Sequence, residues 1–149
     1  MTERMTAAQL KELSSMPSGK SKRVDREGPI QKAILAYIAV RLPSALVHHS
    51  PNETNMRGRQ AQRMVSDAKE LGMRPGWPDI EILWQRHFWT MEVKAPGGYP
   101  TENQIETGRL IVEQGGKWAV VRSVEDAKDA IHGWKYEEPD HGWRPWGLK

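Results

Sequence analysis

The sequence predicts an α/β domain: a mixed sheet flanked by helices. Three observations carry this. In "DREGPIQKAILAYIAVRL", the residues Ile30, Ile34, Tyr37, Ile38 and Leu42 recur at three- and four-residue spacing, the mark of one buried helix face. Two apolar stretches, Asp79 to Trp84 and Phe88 to Ala95, are joined by a tight "QRH" connection and read as an antiparallel hairpin. Beyond the hairpin a capped helix, a strand and a second capped helix alternate, which completes a sheet with helices against it.

Taken in order, residues 1–24 are polar, contain Pro17 and Gly19 and run through "KSKR". They read as a flexible basic segment, with a short helix in "TAAQLKELSSM". A firmer helix spans Asp25 to Leu42 and is ended by Pro43. Ala45 to His49 is a short strand, followed by the turn "SPNET". A basic helix runs from Arg59 to Leu71, with Gly72 as its stop. After the hairpin and the loop "PGGYP", Thr101 is a helix N-cap and Gln104 completes a capping box with it. That helix ends at Gly115-Gly116; "KWAVVRS" is a strand, and Ser123 caps a last helix to about His132. The domain is therefore expected over 25–133, with a tryptophan-rich tail over 134–149.

The length of 149 residues suits one domain, and 38% hydrophobic with 28% charged residues is an ordinary globular balance. The longest apolar run, Ala33 to Val40, is far short of the ~18 residues of a membrane span. No signal-peptide pattern opens the chain, and with no cysteine there is neither a disulfide framework nor a thiolate metal site. A cytoplasmic protein with no membrane partner and no nucleotide cofactor is expected. The net charge is +3, and Met56 to Gly76 alone carries Arg57, Arg59, Arg63, Lys69 and Arg74 against Asp67 and Glu70. One segment thus holds the whole excess. It is either a phosphate-facing surface or a solvated helix face.

The chemistry concentrates in "GWPDIEILWQRHFWTMEVKAPGG". Side chains alternate along a strand, so Glu92 and Lys94 share a face while Trp89, Met91 and Val93 form a core row on the other. The start of one hairpin strand lies beside the end of its partner. Asp79 is therefore expected next to Glu92 and Lys94, although 13 residues separate it from Glu92. Two carboxylates and an amine at one sheet edge suit phosphodiester hydrolysis. The carboxylates can hold a hard cation such as Mg²⁺, and the amine can orient water or offset developing charge. Taken singly, Glu-x-Lys is also an ordinary structural ion pair, and Pro-Asp an ordinary turn.

In combination these residues resemble the PD-(D/E)xK nuclease signature, with "GWPDI" and "MEVK" as its two halves. The surrounding "HHSPNE", "RGRQAQRMVSDAKELGMRPGWPD", "TENQ" and "GGKWAVVRSVEDA" are similar to the VRR-NUC (virus-type replication-repair nuclease) branch, over about Glu27 to Ile131. The resemblance implies a restriction-endonuclease-like αβββαβ core with an inserted basic helix, and metal-dependent cleavage of DNA. It implies Asp79 and Glu92 as ligands of Mg²⁺, or Mn²⁺ as substitute, with the Val93 carbonyl as a further ligand. Lys94 becomes the catalytic lysine, Gln104 its support or that of the scissile phosphate, and Glu27 an acid reaching the metal directly or through water. Departures are the bulky Trp77 and Trp89 beside the motif, Thr90 on its acidic face, and Glu53 where small residues are common; these bear on substrate fit.

Simpler readings stand beside several of these assignments. Gln104 already serves Thr101 as cap partner, and Glu27 lies where a helix dipole favours any acid. His48 and His49 are structural or touch substrate, and nothing has zinc-ligand spacing. Trp134, Trp143 and Trp146, with Lys135, Tyr136 and Arg144 among them, can stack on bases, pack on the core or join subunits. The sequence reading is a Mg²⁺-dependent DNA endonuclease, selective for branched, flap or junction DNA, working as a homodimer in a bacterial or phage-infected cell. The rival is a non-catalytic DNA-binding or assembly module that keeps the fold.

Overall fold

The computed structural model describes residues 24–50 and 59–136. Helix α1 (Gly28–Arg41) leads to β1 (Leu46–His49), α2 (Arg59–Glu70), β2 (Ile80–Trp84), β3 (His87–Val93), α3 (Glu102–Glu113), β4 (Lys117–Val121) and α4 (Val124–Tyr136). Every element expected between 25 and 133 is present. The short helix expected near the start, the "SPNET" turn with Glu53, Arg57, and the tail tryptophans Trp143 and Trp146 lie outside the described residues.

The strands lie in the order β1-β2-β3-β4. The first three form an antiparallel meander, and β4 joins β3 in parallel because α3 carries the chain back along the sheet. Across the hairpin Ile80 faces Met91 and Ile82 faces Trp89, and across the parallel pair Val93 faces Val121. This apolar face packs against Ile34 and Ile38 from α1, Leu42 at its C-cap, and Ala127, Ala130, Ile131 and Trp134 from α4. Each large aliphatic side chain so buried contributes roughly 1.5–3 kcal/mol.

Helix α4 was expected to stop near His132, but it runs to Tyr136. Trp134 extends the stripe of Ala127, Ala130 and Ile131 by one turn, and its ring centroid lies 5.4 Å from that of Trp89. It is a core residue, not the start of a tail.

On the other face α3 covers β3 and β4. A Cβ on Gly108 would come within 2.3 Å of the Trp118 ring, so glycine sets how closely this helix can approach the sheet. The close approach buries Thr90 and Glu92 completely. Thr90, on the acidic face as expected, donates its hydroxyl to the Lys117 carbonyl at 2.8 Å.

The hairpin turn is tighter than "QRH" implied. His87 already pairs with Trp84, which leaves Gln85 and Arg86 as a two-residue turn with φ of 46° and 69°. Positive φ at both positions is the turn that matches strand twist, where Asn-Gly is the usual occupant. Two side chains held there cost roughly 1–2 kcal/mol each. At the far edge, β1 is exposed along its whole length. Helix α2 is exposed over most of its length, and no described helix is long and apolar enough to cross a membrane.

Candidate active site

Antiparallel pairing brings the residue before β2 beside the end of β3, and the backbone fixes that meeting. Asp79 Oδ2 accepts the Val93 N–H at 2.8 Å. The Asp79 carbonyl accepts the Ser50 N–H at 3.1 Å. The same carbonyl lies 3.0 Å from His49 Nδ1, which in turn lies 2.7 Å from Gln31 Nε2. The end of β1 therefore ties down the aspartate's main chain through Ser50, and the one His49 nitrogen either donates to that carbonyl or accepts from Gln31. His49 Nδ1 is thus engaged within the protein. Gln31 escaped the sequence reading, although it lies one helical turn beyond Glu27.

The loop before Asp79 leans on α3. Gly76 has φ +76°, and a Cβ there would come within 2.4 Å of the Asn103 carbonyl, so only glycine fits. The Thr107 hydroxyl donates to the Pro75 carbonyl at 3.2 Å, and the Trp77 indole N–H donates to Glu81. The Thr107 bond and the close approach at Gly76 hold the N-terminal half of α3, and hence Gln104, against the aspartate loop, while the Trp77 bond ties that loop to β2.

Glu92 is fully buried. Its Oε1 accepts from Gln104 Nε2 at 2.5 Å and from Lys94 Nζ at 2.9 Å. Its Oε2 is buried with no hydrogen-bond partner. Burial, and then the Asp79 charge, push the Glu92 carboxyl up to about 8 against the pull of Lys94. Burial likewise raises Asp79, although the Val93 N–H and Lys94 hold it back. With Oε1 already accepting twice, a proton retained by Glu92 belongs on Oε2, where the Asp79 carboxylate can accept it. For Lys94, burial disfavours the ammonium, but Glu92, Glu27 and Asp79 outweigh it and keep the amine more basic than usual.

Glu27 stands at the N-terminus of α1 but does not cap it; Asp25 Oδ1 does so, accepting the Gly28 N–H at 2.8 Å. The Glu27 carboxylate turns to the sheet instead, and its Oε1 accepts the Ala95 N–H at 3.3 Å. Its charge is felt by both Asp79 and Lys94.

Asp79, Glu92, Lys94, Gln104 and Glu27 thus gather at one end of the sheet. Among the described residues no group of three or more His, Asp or Glu side chains could by itself hold a metal ion. The donor set is two carboxylates, with one buried oxygen lacking a donor and both acids resisting ionisation. That suits a hard divalent cation that keeps several waters. The DNA-facing candidates Arg59, Arg63 and Lys69 lie exposed on α2 and contribute nothing to this cluster. Arg74 is also exposed; the ionised form of Glu106 is favoured chiefly by its hydrogen bond from Arg109 and only secondarily by the Arg74 charge.

No family model and no curated protein matches the chain. Among solved structures it is similar to one described as a "VRR_NUC domain protein", with a TM-score of 0.59 at 19% identity, covering 76% of this chain and 90% of that one. The αβββαβ arrangement read from the sequence is thus the fold of a VRR_NUC domain.

Proposed function

We propose that this chain is a divalent-metal-dependent DNA nuclease of the VRR-NUC type. One observation carries the reading. Glu92 is fully buried, one oxygen is held by two donors, and the other is left without any beside a second carboxylate. An isolated structural ion pair gains nothing from a second carboxylate there, because burial and the Asp79 charge keep Glu92 from ionising and so weaken its pairing with Lys94. A cation-binding site needs it.

Asp79, Glu92 Oε2 and the Val93 carbonyl would hold Mg²⁺, or Mn²⁺ in its place, with Glu27 acting through water. A bound divalent cation polarises a phosphoryl oxygen and acidifies water. Gln104 fixes the rotamer of Glu92 so that Oε2 faces Asp79. Lys94 keeps its proton near neutral pH, so its role is to orient water or offset charge at the phosphate rather than to act as base. The exposed cations of α2 would carry the DNA. Action on branched, flap or junction DNA in replication or repair, as a homodimer in a bacterial or phage-infected cell, completes the proposal.

The test is a panel of labelled branched, flapped and linear DNAs with Mg²⁺ or Mn²⁺. Cleavage should vanish in Asp79→Asn and Glu92→Gln. In Lys94→Ala it should fall by about a hundred-fold to a thousand-fold, the usual loss for one preorganised charge. Binding without cutting by the unaltered chain would favour the rival, a DNA-binding module that keeps the fold.

A further inference from the structure

We infer that the groove between α3 and the β2–β3 hairpin receives an unpaired base of the strand cut at the neighbouring site. The inference rests on the nuclease reading and names its substrate class: DNA with a single-stranded portion next to the scissile bond. The groove encloses about 340 Å³ and is lined by Trp77, Phe88 and Leu110, by the amide-bearing Gln114, and by Arg74 and Arg86. None of its lining residues is acidic.

Composition gives the first argument. Aromatic rings offer a face to any base, and guanidinium groups beside them meet its phosphate. An acidic peptide would match the arginines but leave the aromatic and leucine surface unused.

Continuity gives the second. The α3 wall of the groove begins at Thr107, one turn after Gln104, which holds Glu92. On β3, Phe88 and Glu92 share a face four residues apart, about 13 Å at the usual strand rise. Trp77 lies two residues before Asp79. A strand whose phosphate meets the carboxylates and which runs along α3 toward the hairpin turn would bring its adjacent nucleotides to this groove.

Strain gives the third. Arg86 holds φ +69° in a turn where glycine is cheaper. Arg86 lines the groove from the hairpin turn, at the end away from Asp79, and a strained side chain kept on a groove wall points to use.

The test measures binding by the full chain with divalent cations removed, so that no cutting intervenes. The probes are a duplex bearing a single-stranded arm with 2-aminopurine near the junction, and a plain duplex of equal length. Binding should change the 2-aminopurine emission, and Trp77→Leu should abolish that change. Trp77→Leu should also reduce the preference for the armed DNA by about ten-fold, the scale of one stacked base, and Arg86→Gly should raise the thermal midpoint yet reduce that preference through the lost phosphate contact. An unaltered preference in both variants would overturn the inference. So would an equal loss on both DNAs, which marks plain phosphate binding. Variants that halve the sedimenting mass while keeping the preference would make the groove a subunit contact, and the inference would fall. The nuclease reading stands or falls separately, on Lys94→Ala with Mg²⁺.

Discussion

Gln104 and Glu92 are joined by an amide that serves two masters. Gln104 Oε1 accepts the Thr101 N–H at 2.7 Å, closing the capping box of α3, while Nε2 donates to Glu92 Oε1 at 2.5 Å. The cap role is thus met by one end of the side chain, while the other end reaches Glu92 rather than the lysine or the phosphate that the resemblance implied. Its two ends do different work.

Gln104→Glu separates them. Glutamate caps a helix as well as glutamine does but has no N–H for Glu92. The helix should persist by circular dichroism. Any cleavage rate should fall by roughly ten-fold to a hundred-fold, matching the ~1.5–3 kcal/mol of a hydrogen bond to a charged group. Loss of the helix with no separate loss of rate would leave Gln104 a cap alone.

The raised Glu92 carboxyl predicts how stability follows pH. Its folded value of about 8 lies above its ordinary 4.5, so the unfolded chain loses this proton first. Its contribution is then fully present below about pH 4.5 and is lost as pH rises through 8. Without metal the thermal midpoint should fall between those limits, by an amount worth a few kcal/mol at most. Glu92→Gln should flatten the fall, and Mg²⁺ should reverse it in the unaltered protein while releasing protons. A profile that stays flat, or rises with pH, would show that Glu92 is not held protonated.

Much of this was legible in the sequence, and what was missed has identifiable causes. Alternation placed Asp79, Glu92 and Lys94 together because hairpin geometry is local and strict. Periodicity could not show that the Glu92 face is covered: that depends on Gly108, whose missing side chain lets α3 settle onto Trp118. Without that cover Glu92 would be a solvated acid of ordinary strength. Gly76 likewise reads as a plain loop glycine, yet it fits the aspartate loop against the first turn of α3. The turn at Gln85 and Arg86 is legible in the sequence but reads one residue too long, since neither residue favours positive φ and only the pairing of His87 with Trp84 imposes it.

Helix α2 predicts a salt dependence. Arg59 and Arg63 lie exposed four residues apart, on one helix face. Replacing both, together with Arg57, by alanine should weaken binding on every DNA sequence alike. The slope of log affinity against log salt should flatten by roughly 0.9 for each phosphate that is no longer neutralised. A slope that does not move would reduce the helix to a solvated face.

The last prediction concerns a second copy of the chain. One domain supplies one carboxylate pair and so one cut per engagement, whereas a symmetric junction needs two sites about a two-fold axis. Strand β1 offers a surface for such pairing. It ends the sheet, all four of its residues are exposed, and Leu46, 74% exposed, faces Leu83, itself 51% exposed. An open apolar edge of this kind is a hazard to a monomer. Sedimentation should therefore report about twice 17.0 kDa. Leu46→Lys with Val47→Lys should return the single mass without lowering its thermal midpoint, because neither side chain is buried. The share of Trp143 and Trp146 is tested by ending the chain after Tyr136. Ending it after His132 would strip Trp134 from the core and report on folding instead. A clean monomer at micromolar concentration that still cuts branched DNA would end the dimer proposal and leave the nuclease proposal standing.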